Sequence, residues 1–191
     1  MISTLLIFGA AGSGTTTLAH SLAERLQWTH LDADAYYWEA TPIPFQQKVP
    51  KAIRQQRLIA DVEQHTPVVV SGSLATWGEY WQTAFDLAVF LQLPSELRMV
   101  RLRQREIARY GDSLKTHPER QAISDAFLTW AAQYDDPNFE GRSIRQHQDW
   151  MKQLSCEVLN LKGDLSNEER IRRVLAHPSF PPPTDTPRPE H

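Results

Sequence analysis

Four apolar residues, Leu5-Leu6-Ile7-Phe8, run into a loop with glycine at positions 9, 12 and 14. The loop runs into a segment with Leu18, Leu22 and Leu26 at helical spacing. Buried strand, glycine loop and helix start, in that order, constrain the chain more than any other stretch. Glycine lets the backbone turn through positive φ and brings N–H groups close to a ligand. The first helical turn leaves its own N–H groups unpaired, and with the helix dipole they favour an anion. The segment Gly9-Ala10-Ala11-Gly12-Ser13-Gly14-Thr15-Thr16-Thr17 therefore reads as a phosphate cradle.

Its spacing is that of a P-loop, G-x-x-x-x-G-K-[ST], with one departure: the lysine position holds Thr15. Gly9, Gly12, Ser13, Gly14, Thr15, Thr16 and Thr17 are the candidate nucleotide-binding residues, and the Thr16 hydroxyl is the candidate Mg²⁺ ligand. A P-loop lysine reaches the β- and γ-phosphates and neutralises developing charge. Thr15 can donate one hydrogen bond but brings no charge. The binding half of the motif is intact, and positive charge for catalysis must come from elsewhere.

The chain has 191 residues, enough for one domain with a substantial core. Its net charge of −3 gives no general attraction to nucleic acid, so no nucleic-acid partner is expected. Cys156 is the only cysteine, so no intrachain disulfide can form. No apolar window is long enough to span a bilayer, and a cytoplasmic location without membrane contact is expected. Oligomeric state stays open.

Apolar runs at 2–8, 29–32, 67–71, 86–93 and 156–161 read as strands. Helices are expected at 15–28, 51–64, 95–110, 119–134 and 143–154, with a last one from Ser166 and a short one at Trp77–Trp81. Ser95 is the expected cap of the fourth strand's helix. Strands alternating with helices predict an α/β fold of P-loop NTPase type: a five-stranded parallel sheet flanked by helices. The loosely patterned stretch 111–142 is the expected helical lid. One domain should cover 1–177, followed by a proline-rich, disordered tail at 178–191. A turn is expected around Pro42, Pro44 and Pro50. Right-handed crossovers bring the ends of several strands to one rim, so the loop, Asp32–Asp34 and Ser71–Ser73 should line one crevice.

Asp32 and Asp34 follow the second strand. One can orient the water shell of magnesium, the other accept a proton from an acceptor hydroxyl. Equally, Asp32 can cap the following turn and Asp34 be solvated. Tyr36, Tyr37 and Trp38 offer either a flat wall for a ring or core beneath the loop. Lys48, Lys51, Arg54 and Arg57 either hold an acceptor phosphate or form a solvated helix face. At 100° per residue Arg98, Arg101, Arg105 and Arg109 share one face, with Arg103 nearer Val100 and Ile107. Guanidinium groups are always charged and fork onto phosphate oxygens, so Arg103, Arg105, Arg109 or Arg142 is expected to supply what Thr15 lacks.

The strings GAAGSGTTTLA, LDADAYYW, VVVSGSLATWG and RLRQREIARYG give the chain a resemblance to P-loop small-molecule kinases related to adenylate kinase, a superfamily that includes the shikimate and gluconate kinases. More closely, it resembles uncharacterised bacterial adenylate-kinase-like ATPases whose loop reads G-x-x-G-S-G-T-T-T. The resemblance spans about residues 1 to 177. It implies a nucleotide donor on Gly9–Thr17, an acceptor between the Asp34 region and Ser73, and a lid at about 111–142. The expected function is ATP- and Mg²⁺-dependent transfer of the γ-phosphoryl group to a small acceptor, chiefly a nucleoside or nucleoside monophosphate. In that scheme Asp34, Arg103, Arg105, Arg109 and Arg142 are catalytic, and Asp32, Arg54 and Ser73 bind substrate. The alternative is a nucleotide-binding regulatory module with little or no catalysis, motivated by Thr15.

Overall fold

Alternate residues of the first strand, β1 (Thr4–Gly9), go to opposite layers of the protein. Leu5 and Ile7 enter one hydrophobic cluster, and Leu6 and Phe8 enter another. A strand buried on both faces is what a continuous apolar run predicts. The structure is a computed structural model and describes residues 2–41 and 47–180.

β1 leads through the glycine loop to α1 (Thr15–Leu26), then to β2 (Thr29–Asp32) and a short α2 (Ala33–Tyr37). Next come α3 (Lys51–His65), β3 (Val68–Ser71), a 3₁₀ turn at Glu79–Gln82 and β4 (Leu87–Gln92). After α4 (Ser95–Tyr110) the chain makes a helical excursion, α5 (Ser113–Thr116) and α6 (Pro118–Ala132). It returns by α7 (Ile144–Met151), β5 (Glu157–Lys162) and α8 (Asn167–Leu175). The five strands form one parallel sheet in the order β2-β3-β1-β4-β5, as the alternating pattern predicts.

α1 and α8 cover one face through Leu18, Leu22, Ile171 and Val174. α3, α7 and the segment around Trp77 and Trp81 cover the other, through Leu58, Val62 and Trp150. β1 lies between β3 and β4, so the chain crosses from one side of it to the other. The strand ends on either side of that crossing open the crevice used by ligands in such sheets.

Several expectations change. Ser95 is the first helical residue of α4 and not its cap; Pro94 takes the cap position, its fixed φ suited to a helix start. The expected helix at Trp77–Trp81 is the later 3₁₀ turn. On α4, Val100 and Ile107 are exposed, whereas Arg98, Met99, Leu102 and Glu106 are buried. Phe180, placed in the tail by composition, is buried beside Trp28, with ring centroids 6.3 Å apart. Pro42 and Pro44 of the expected turn, and tail residues 181–191, lie outside the described residues.

Candidate active site

The glycine loop is shaped by what crowds it. A side chain on Gly9 would put its Cβ 2.6 Å from the Leu91 carbonyl oxygen, a distance that only glycine avoids. Gly14 adopts φ +94° at the position that caps α1, a left-handed conformation costly for other residues. The Ser13 N–H closes the turn onto the Ala10 carbonyl at 3.1 Å. The N–H groups of Gly12 and Gly14 donate to no group among the described residues. The first turn of α1 leaves the amides of Thr15–Thr17 equally open. These are the free donors a phosphate chain needs.

The Thr16 hydroxyl donates to Asp32 Oδ2 at 3.2 Å. Asp32 Oδ1 accepts from the Asp34 backbone N–H at 3.0 Å and caps α2. Both roles open to Asp32 in the sequence are thus compatible in one carboxylate. Mg²⁺ at phosphate sites keeps several waters and needs only one or two protein oxygens besides the phosphates. The hydroxyl and carboxylate side by side next to the open amides suit that demand. Among the described residues no cluster of three His, Cys, Asp or Glu side chains forms a dedicated metal cage.

Asp34 stands in the first turn of α2 and is exposed as a whole residue. Burial of its carboxylate against the cleft walls raises its pKa; Arg142 and Arg105 pull it down, and the Asp32 charge adds to the rise. Arg105 comes from α4 and Arg142 from the end of the excursion, so the charges of two distant segments reach one carboxylate. Each arginine also lies over an aromatic ring of α6: Arg105 over Phe127 and Arg142 over Trp130, both at 5.6 Å. Phe127 and Trp130 stack at 6.0 Å. Burial and the neighbouring Arg109 lower the pKa of Arg105, which still remains charged.

The other predicted arginines divide. Arg109 sits one turn beyond Arg105 and over the Tyr110 ring at 5.9 Å. Arg103 falls on the opposite side of α4 from Arg105, in the exposed strip with Val100 and Ile107, so it is not brought to the cleft. Arg98 is fully buried; its Nε donates to the Leu93 carbonyl at 3.1 Å and its Nη2 pairs with Asp135. It anchors α4 to the end of α6 and is not a member of a solvated stripe.

Arg54 departs from the solvated-face alternative. It is 8% exposed and held between the rings of Tyr37 at 4.1 Å and Trp77 at 4.9 Å. Its Nε is buried without a hydrogen-bond partner among the described residues. Stacking holds the guanidinium in place with one donor still unmet. Lys51 and Arg57 are exposed, and Lys48 lies over Tyr37 at 5.8 Å. Tyr36 hydrogen-bonds Asp61 and Trp38 meets the Tyr37 ring edge-on at 4.8 Å, so this trio is partly wall and partly support.

The Ser73 hydroxyl, expected to bind substrate, is engaged within the protein. It meets His147 Nε2 at 2.8 Å, and His147 Nδ1 meets the Tyr134 hydroxyl at 2.8 Å. His147 lies edge-on to Phe8 and Phe90. Burial, with a smaller push from Arg142, drives its pKa down to about 3. The ring is neutral and fixes the loop after β3 to the end of the excursion. His147 and Tyr134 escape sequence analysis, because the ring's contacts reach 74 residues back to Ser73 and 13 back to Tyr134, with no spacing pattern to mark them.

A family profile described as "AAA domain" matches residues 5–120, more than half of the chain, starting in the strand before the loop. The chain belongs to the AAA domain family. A curated relative, the uncharacterised protein YqaC of Bacillus subtilis (strain 168), is 40% identical to this AAA domain protein over 169 residues, 88% of this chain and 93% of YqaC. Among solved structures, the shikimate kinase of Bacteroides thetaiotaomicron superposes with a TM-score of 0.54 at 19% identity, covering 92% of this chain and 97% of the kinase. A sugar kinase of Janibacter sp. HTCC2649 gives a TM-score of 0.48 at 15% identity, with 90% and 91% covered. The AAA domain protein has a P-loop kinase-like NTPase fold. Among the described residues no helix is long and apolar enough to cross a membrane.

Proposed function

We propose that this protein is an ATP-dependent small-molecule kinase of the adenylate-kinase-like group, acting in the cytoplasm. The loop of free amides, with the Thr16 hydroxyl bonded to Asp32 at its edge, carries this reading, and the charges of Arg105 and Arg142 that reach Asp34 support it. The loop N–H groups would hold the phosphates of ATP, and Thr16 with Asp32 would hold Mg²⁺, which would supply positive charge to offset that of the phosphates. Asp34 would accept the proton of the acceptor hydroxyl as its oxygen bonds to the γ-phosphorus and the bond to the β-phosphate oxygen breaks. Its raised pKa makes it a better proton acceptor than an ordinary carboxylate. Arg105 and Arg142 would stabilise the charge on the transferred group, with Arg109 at the outer edge.

The acceptor would be a small anion-bearing molecule that reacts through a hydroxyl, a nucleoside monophosphate phosphorylated on its sugar foremost. Arg54, stacked and with an unmet donor, would take its charged group. The half-buried Phe127 and Trp130 would offer a ring contact. The test is ADP release from Mg²⁺ and ATP against a panel of nucleosides, nucleoside monophosphates and small hydroxylated metabolites. Stimulation by one acceptor supports the kinase; no stimulation across the panel refutes it.

Thr15 favours a second reading, a nucleotide-binding regulatory module. On that reading the wild type binds ATP without turnover, and Thr15→Lys creates turnover. A wild type that already turns over removes it.

A further inference from the structure

Arg170 belongs to no motif in the sequence and lies beyond the family match, on α8. It is 5% exposed, and its Nη1 donates to the Ser13 carbonyl oxygen at 2.9 Å. A Cβ on Gly14 would meet the same nitrogen at 2.8 Å. The guanidinium therefore presses on the outside of the glycine loop, at the peptide that joins Ser13 to Gly14.

In a trans peptide the C=O and N–H bonds point in opposite directions. With the Ser13 carbonyl turned toward Arg170, the Gly14 N–H turns away from it and is one of the loop's free donors. An ionised donor on the carbonyl polarises the peptide and strengthens its N–H toward an anion. Arg170 has no carboxylate at ion-pair distance among the described residues. Asp164, whose field reaches it, is bound to Arg101 at 2.7 Å. The charge of Arg170 is left to act on the loop.

We propose that Arg170 is a positioning residue that supplies to the phosphate site, through the Ser13–Gly14 peptide, the positive charge that Thr15 does not. This rests on the nucleotide-binding reading above.

Calorimetry on the full chain tests it, with Mg²⁺ and inorganic triphosphate, ATP or adenosine as probes. The proteins are wild type, R170M, R170Q, R170K, T15K and T15K/R170M, each checked by circular dichroism and thermal melting. R170M should weaken triphosphate and ATP by about tenfold or more, the scale of a lost charge-assisted hydrogen bond, and leave adenosine unchanged. R170K keeps the charge and most of the affinity. In T15K a lysine reaches the phosphates directly, so adding R170M should cost only about threefold or less. R170Q retains a donor for the Ser13 carbonyl without the charge and carries the test if R170M does not fold; the same tenfold loss is expected.

Equal triphosphate affinity in the folded neutral variant and wild type overturns the proposal. So does an equal loss for adenosine and triphosphate, or an undiminished loss in the T15K background, since both mark a purely structural brace. A wild type that binds no triphosphate overturns the nucleotide-binding reading itself, and this proposal with it.

Discussion

Lowering the pH from 7 to 5 should cost the fold about 2 kcal/mol through His147 alone. The folded protein keeps this imidazole neutral because it is buried edge-on against the stacked rings of Phe8 and Phe90 and bonded at both nitrogens. Its folded pKa is about 3, against 6.5 for an exposed histidine. Between those values the unfolded chain takes up a proton that the folded chain refuses. The stabilisation is therefore complete above pH 6.5 and is lost as the pH falls toward 3. His147→Gln removes the titration but leaves an amide that can still bond Ser73 or Tyr134. At pH 7 it should be less stable than wild type by about 1–3 kcal/mol, for lost ring packing and one lost hydrogen bond. By pH 5 that gap should shrink by about 2 kcal/mol. Urea unfolding followed by tryptophan fluorescence measures both proteins across the range. His30, whose pKa burial also lowers, is present in both and cancels. Parallel stability–pH curves for the two proteins would refute the reasoning, for they would mean that His147 is no harder to protonate in the folded state.

Asp34→Asn should remove phosphoryl transfer while ATP binding persists, and in wild type the acidic limb of the rate profile should lie above the ordinary carboxylate range; both are read by ADP release and calorimetry. Gly9→Ala should destabilise by about 1–3 kcal/mol in urea unfolding, since a Cβ 2.6 Å from the Leu91 oxygen forces the loop off the strand. Arg98→Met should cost about 2 kcal/mol, because the Leu93 carbonyl loses its buried donor and Asp135 its partner; thermal melting checks it.

The sheet is legible in the chain because its central strands are short apolar runs bounded by turn residues. Val68–Val70 and Leu87–Leu91 have no polar face to mistake for a surface. The phosphate loop is legible because its glycines answer local demands, the crowded Leu91 carbonyl and a positive φ. The helix stripe is where periodicity misleads. Arg98 and Arg105 share a face of α4, yet one is buried on Asp135 and the other opens to the cleft, because α6 covers only part of the helix. The 3.6-residue period gives a direction around an axis but not what waits there. Ser73 follows a strand, as a substrate contact should, but its hydroxyl answers to a histidine that only the folded excursion delivers. Arg54 could be read either as surface or as site, and burial between two rings decides against surface.

The bond from Arg170 to the Ser13 carbonyl joins residues 157 positions apart. A chain synthesised from its N-terminus makes the loop long before the guanidinium. β1 waits in the same way, since both of its partners, β3 and β4, follow it by more than sixty residues. The growing polypeptide thus carries its phosphate loop through the synthesis of this domain without the sheet complete around it or the brace behind it. Nucleotide can stabilise this fold fully only once α8 has emerged from the ribosome, so it can reward the finished domain but cannot guide its early assembly.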